Sequence, residues 1–232
     1  IVLDGLASEE AWSDTYTCHR VVPSYPVPDP DRPERDLSAR FAVAWSETAL
    51  YLYVEVGDHN VIDPDPSTPI WQDDSLELFV DLNPLVDPPD STTPYVDDPT
   101  LLHALVGVDG AVDVPQDRWR VSASTARRTE YPLGWVAEIE VLWPEDVSRE
   151  TNYIGLDLTI DDRDDRETGY DGTREHMLQW NNPVNTGWRD PETMGWLWLS
   201  PETVLRPPPC EASDHALHDG MLCAPAGYPE DL

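Results

Sequence analysis

Lysine is missing from this chain, and only 14 arginines stand against 46 acids in its 232 residues, for a formal net charge of −32. That shortage of cations excludes nucleic acid as a partner, because a phosphate backbone is held by cationic surface. It also argues against anionic membranes and acidic polysaccharides. Phenylalanine is scarce: two Phe accompany ten Trp and nine Tyr. Trp and Tyr carry a polar handle on a large apolar body, so this bias favours rings that sit half in water. No run of 18 or more apolar residues occurs, so no helical membrane span is expected. Cysteine is limited to Cys18, Cys210 and Cys223. Their spacing fits no zinc motif; Cys210 with Cys223 is the expected disulfide, and Cys18 with either one is the alternative. No Gly-x-Ser-x-Gly elbow, His-Glu-x-x-His helix or C-x-x-C-H haem attachment signal is found, so no catalysis is expected. The first residue is Ile, as expected of a mature or trimmed chain.

What is present is a succession of short apolar runs separated by Pro, Asp and Gly. Phe41 to Trp45, Ala49 to Val56, Leu76 to Leu82, Leu101 to Val108, Arg118 to Ser122, Gly134 to Leu142, Ile154 to Ile160 and Gly195 to Leu199 read as strands. No long stretch keeps a 3.6-residue apolar period. The 24 prolines cluster in the connections and the tail, as edges and turns require. The pattern predicts an all-β fold, an antiparallel, jelly-roll-like β-sandwich with long Pro/Asp-rich loops, over residues 1–200. Residues 201–232, which contain Pro207-Pro208-Pro209, are expected to form a Cys-containing tail rather than a second core.

The most informative stretch is Trp71-Gln72-Asp73-Asp74-Ser75-Leu76-Glu77-Leu78-Phe79-Val80. Alternation sends Leu76, Leu78 and Val80 to one face of a strand and Ser75, Glu77 and Phe79 to the other. An indole and a carboxylate therefore stand near the same sheet edge. A sugar ring uses that combination, since its C–H face stacks on an aromatic ring and its hydroxyls take directional hydrogen bonds.

Taken in order, the motifs resemble carbohydrate-binding module family 9 over roughly residues 1–200. The chain opens with Asp4-Gly5 and Trp12. Ala44-Trp45 and the strand Leu50 to Asp58 follow, then Trp71 to Asp81, Gly134 to Val141 with Trp143, and Ile154 to Asp162. Trp180, Trp188 and Gly195-Trp196-Leu197-Trp198-Leu199 close the series. The resemblance implies a non-catalytic β-sandwich, usually with structural calcium, that grips the end of a β-glucan or xylan chain between two Trp. Carried over residue by residue, it implies stacking by Trp71 and Trp188. Hydrogen bonding falls to Glu77, Arg174 and Asn185. Where the family often has a Gln-Tyr-Arg type of strand, this chain has Leu101-Leu102-His103-Ala104-Leu105, so His103 is the remaining polar candidate there.

Acid-rich loops from Asp58 to Asp65, Asp87 to Asp98 and Asp161 to Asp171 are candidates for calcium, with Asp58, Asp63, Asp65, Asp161 and Asp162 as expected ligands. Hard cations take six to eight oxygens, which loop carboxylates supply. The alternative is a copper- or haem-binding redox protein on the same kind of sandwich, with His59, His103 and His176 as ligands and Met177 as a soft donor. The expected partner is a polysaccharide or oligosaccharide. The expected setting is a secreted or cell-surface protein, with a place in a larger secreted enzyme as one form of it.

Overall fold

The computed structural model describes residues 1–6, 12, 22–23, 37–88, 91–129, 133–147, 151–163, 174, 176–182 and 186–199. Eleven strands run through them in chain order: β1 (Val22–Pro23), β2 (Leu37–Trp45), β3 (Ala49–Asp58), β4 (Ser75–Asp81), β5 (Leu101–Gly107), β6 (Val112–Asp113), β7 (Arg120–Arg128), β8 (Gly134–Leu142), β9 (Tyr153–Asp162), β10 (His176–Gln179) and β11 (Gly195–Trp198). One helical turn, α1 (Pro94–Asp97), precedes β5.

The strands form two antiparallel sheets. The seven-stranded sheet has the order β1-β10-β9-β4-β5-β6, with β11 also paired to β9; the four-stranded sheet has the order β2-β3-β8-β7. This is the expected sandwich. Period-2 alternation builds its core. Leu50, Leu52, Val54 and Val56 of β3 and Trp135, Ala137, Ile139 and Val141 of β8 face Leu76, Leu78 and Val80 of β4 and Ile154, Leu156, Leu158 and Ile160 of β9. Each fully buried aliphatic side chain there contributes about 1.5–3 kcal/mol relative to exposure.

The predicted Gly134 to Leu142 strand matches β8 end to end. Two readings need correction. The strand expected over Arg118 to Ser122 runs instead over Arg120–Arg128. It is an edge strand of small and polar residues, which leaves no apolar alternation to mark its end. The β2 strand starts at Leu37 rather than Phe41, because backbone pairing from Leu37 to Asp58 continues past the apolar run. Strands β1, β6 and β10 are too short, at two to four residues, to show a period.

Outside the core, Glu138 of β8 is fully buried beneath the first residues of the chain. Its Oε2 accepts the backbone N–H groups of Asp4 and Gly5, both at 2.8 Å, and its Oε1 accepts the indole N–H of Trp12 at 2.8 Å. Gly5 has φ 77°, a conformation that glycine adopts without strain. The opening Asp4-Gly5…Trp12 motif is thus a set of donors for one buried carboxylate. The three cysteines and residues 200–232 lie outside the described residues.

Candidate functional site

Strand parity defines the outer face of the seven-stranded sheet. In β4 it carries Ser75, Glu77, Phe79 and Asp81. Pairing places Asp161, Thr159, Asp157 and Gly155 of β9 beside them on one side, and Gly107, Leu105, His103 and Leu101 of β5 on the other. Gln179 of β10 joins the row next to Thr159, to which its amide donates at 3.0 Å. Most of these polar side chains are buried. A polar row under cover must be satisfied internally.

At the centre, Nε2 of His103 donates to Oε2 of Glu77 at 2.7 Å. The imidazole lies flat on the Phe79 ring, with centroids 4.5 Å apart and planes 18° from parallel. Arg174 donates to Oδ1 of Asp161 at 2.6 Å and reaches Oε1 of Glu77 at 3.4 Å through the same nitrogen. Its guanidinium stands 5.5 Å from the centroid of the Trp71 ring. One cation therefore bridges two carboxylates and faces the indole that leads into β4. Burial, and then the neighbouring Glu77 carboxylate, push Asp161 well above the usual carboxylate range despite the pull of Arg174.

Trp71 lies in the single turn Ile70–Gln72 and remains 39% exposed. The two acids after it fix that turn. Asp73 is in a buried ion pair with Arg163 and accepts from Asp65 N at 3.0 Å and Thr68 Oγ1 at 2.9 Å. Asp74 accepts from the backbone N–H groups of Ile62 at 2.6 Å and Arg163 at 2.8 Å. Trp188 is 50% exposed, in the turn after Thr186, with the Arg189 guanidinium 5.4 Å from its ring centroid. That turn is anchored to the same sheet face. The Tyr95 hydroxyl donates to Gly187 O at 2.5 Å, and Tyr95 packs on both Phe79 and His103 at 5.6 Å. Asn182 donates to Thr186 Oγ1 at 3.0 Å and to Thr193 Oγ1 at 2.7 Å.

Beneath this turn, Oδ1 of Asp157 accepts the backbone N–H groups of Leu158 at 2.8 Å and Asn181 at 3.0 Å, while its Oδ2 is buried with no hydrogen-bond partner. Burial pushes its carboxyl up to about 7. Asp81, at the other end of β4, is raised to about 6, chiefly by burial. The Tyr95 phenol is raised too, first by burial and then by Asp157 and Asp81.

Of the residues expected at a sugar site, Glu77, His103, Arg174 and Trp71 are therefore joined in one contact chain. Trp188 stands on a loop tied to it through Tyr95 and Gly187. Asn185 lies outside the described residues. Tyr95, Phe79, Asp157 and Gln179 were not anticipated. Phe79 shares the parity of Glu77 within β4, and Gln179 joins Thr159 only once β10 is paired with β9. Tyr95 sits on a loop helix and has no such signal.

The expected calcium ligands divide differently. Asp58 of β3 and Asp162 of β9 come together with Asp74, all three buried, with ligating oxygens within 4.8 Å of one another. Asp161 is not in this group, because adjacent strand residues point to opposite faces. Asp63 is paired instead with Arg127 at 2.7 Å, and Asp65 accepts from the N–H and hydroxyl of Ser67 at 2.9 and 2.6 Å. Among the described residues no comparable group contains a histidine. His103 belongs to the Glu77 contacts, His59 is exposed at the end of β3, and the His176 side chain is outside the described residues.

The sequence matches the family described as "Carbohydrate family 9 binding domain-like" over residues 3–201. The chain belongs to that family. It is a carbohydrate-binding domain of family 9. Among curated proteins, this family 9 domain is 28% identical over 170 residues to the endo-1,4-beta-xylanase A of Thermotoga neapolitana, covering 72% of this chain and 14% of that protein. It is similarly 27% identical to the endo-1,4-beta-xylanase C of Paenibacillus barcinonensis over 162 residues, covering 69% of this chain and 14% of the other. The chain thus spans 14% of the length of the curated relatives it matches. Its fold is similar to that of a carbohydrate binding module family 9 from Caldicellulosiruptor kristjanssonii in complex with glucose. The TM-score is 0.64 at 17% identity, over 90% of this chain and 95% of that one.

Proposed function

We propose that this family 9 domain holds the end of a neutral β-linked glucan or xylan chain, one or two sugar rings lying between Trp71 and Trp188. Glu77, His103 and Arg174 line the ring edge, where a carboxylate accepts from sugar hydroxyls and a guanidinium donates to them. The family resemblance adds Asn185, three residues before Trp188 in the sequence, as a further hydrogen-bonding candidate. One observation carries this reading: the half-exposed Trp71 ring, the Arg174 guanidinium and the Glu77–His103 pair form a continuous contact chain on the sheet face. Solved relatives holding glucose and cellotriose support the ligand class.

We further infer that Asp58, Asp74 and Asp162 bind a structural calcium. Three buried carboxylates in one group repel one another, and a hard dication relieves this. The domain serves a larger polysaccharide-directed protein outside the cell. The xylanase names of relatives many times its length support this.

Isothermal titration with glucose, cellobiose and xylobiose tests the reading, using wild type, Trp71→Ala and Trp188→Ala. Saturable binding that is lost in both variants upholds the clamp. Binding that survives both substitutions overturns it. A soluble, end-poor cellulose derivative separates end binding from internal binding, since an end binder saturates at far fewer sites per chain mass.

A further inference from the structure

Strand β11 carries Gly195-Trp196-Leu197-Trp198. Alternation sends Leu197 and the following Leu199 into the sandwich core and leaves Trp196 and Trp198 outside, 43% and 44% exposed. Folding needs only the inward pair. The outward positions of an edge strand accept polar residues freely, so two indoles there are not explained by the core.

Pairing with β9 places Trp196 beside Gly155 and Trp198 beside Tyr153. Tyr153 packs on Trp196 with ring centroids 6.3 Å apart at 54°. The three rings stand on the outward face of a strand pair whose other face packs into the core. Across β9, Gly155 pairs with Asp81 of β4. Trp196 is therefore on the same sheet face as Glu77, Phe79 and Asp81, further along the sheet from the Glu77–His103 pair.

We propose that Trp196 and Trp198, with Tyr153 beside them, form a second carbohydrate platform that stacks on the apolar faces of a neutral, insoluble polysaccharide. Two observations select this occupant. This strip of rings lies on the same side of the sheet as the sugar site, beyond the buried Phe79–Tyr95–Leu101–Met194 cluster that carries the Trp188 turn, so a polysaccharide long enough to pass that turn reaches both. The chain carries a net charge of −32, which repels anionic lipid, nucleic acid and acidic glycans but leaves stacking on uncharged sugar rings unaffected. Two sites engaged on one polymer reinforce each other through effective concentration, without either being strong alone. The proposal rests on the sugar-binding reading above for its ligand class, and its test is separable from that of the clamp.

Retention on microcrystalline cellulose and on insoluble xylan is measured for wild type, Trp71→Ala/Trp188→Ala and Trp196→Thr/Trp198→Thr, alongside cellotriose titration and sedimentation. Thr keeps strand propensity at exposed positions, and a melting curve within a few degrees of wild type checks the fold. The platform predicts that Trp196→Thr/Trp198→Thr binds cellotriose as wild type does, within about twofold, while retention on at least one insoluble polymer weakens by about tenfold or more. Wild-type retention of this variant on both polymers overturns the platform, whatever the clamp variant does. If it retains normally but no longer self-associates, the strip is an interface between copies of this chain and the proposal falls. Intact cellotriose binding in Trp71→Ala/Trp188→Ala overturns the clamp alone.

Discussion

Glu77 and His103, 26 residues apart, meet at 2.7 Å as diagonal neighbours on adjacent strands, and Arg174 approaches the other oxygen of the same carboxylate. Glu77 thus holds a donor on each side and shares its cation with Asp161. In Glu77→Gln the charged acceptor disappears, and so does its repulsion of Asp161. Sugar affinity is expected to fall by about 10–100-fold, the range for losing a hydrogen bond to a charged group, while the melting temperature holds or rises. A variant that binds normally, or one that binds weakly only because it is partly unfolded, would show that Glu77 serves the fold instead.

Asp157 gives a pH dependence with a definite sign. Its carboxyl is raised in the folded chain to about 7, from 3.8. The native state thus holds a proton that the unfolded state releases, and this group's contribution to stability declines as pH rises from about 4 to about 7. Asp157→Asn keeps an acceptor for the backbone N–H groups and removes the charge. The variant should therefore gain stability relative to wild type at pH 8 and lose that advantage at pH 5. Denaturant melts at both pH values check this, and a pH-independent difference would contradict the assignment.

For the Asp58–Asp74–Asp162 group, calcium in hundredfold excess over its dissociation constant should stabilise the domain by about 2.7 kcal/mol. At 2–4 °C per kcal/mol for a domain of this size, chelation lowers the melting temperature by about 5–10 °C. Asp74→Asn should abolish the calcium-dependent shift. Identical melts in calcium and in chelator would remove calcium from the account.

Trp12→Phe removes the indole N–H that reaches Oε1 of Glu138 and leaves that buried oxygen without its donor. The expected loss is about 1–3 kcal/mol, seen as a lower denaturation midpoint with cellotriose affinity unchanged. Loss of sugar binding along with stability would mean that the opening segment reaches the site.

Gly134 has φ 135°, and a Cβ built there stands 2.0 Å from the carbonyl oxygen of Val56. Gly134→Ala thus meets both a disfavoured backbone and an immovable partner in the β3–β8 pair. Destabilisation on the order of 3–5 kcal/mol is expected, measurable by chemical denaturation.

Much of the fold could be read from the sequence because period-2 alternation in Ala49–Asp58, Ser75–Asp81 and Tyr153–Asp162 is set by burial on one face. Edge strand β7 and the short β10 lack that signal, since few of their side chains enter the core. The site was legible in part. Trp71 and Glu77 share one motif, and His103 lies on a predicted strand. Tyr95 and the pairing of Asp74 with Asp58 were not legible, because each is a contact between segments with no local pattern to mark it. The expected grouping of Asp161 with Asp162 overlooked strand parity, which sends one toward Arg174 and the other toward the opposite sheet.

The buried polar row also protects folding fidelity. A one-residue slip of β4 against β9 would turn Glu77 into the sandwich interior and Leu76 and Leu78 outward, and a similar slip of β9 would bury Asp157, Thr159 and Asp161 among aliphatic side chains. Desolvating those carboxylates without Arg174 or His103 is prohibitive, so mis-registered pairings are disfavoured from the first collapse. The groups that would meet a sugar thereby penalise misfolded competitors. Replacing the row with apolar residues to harden the domain would remove that penalty along with the site, and the resulting chain should aggregate more readily on refolding even where its native state is more stable.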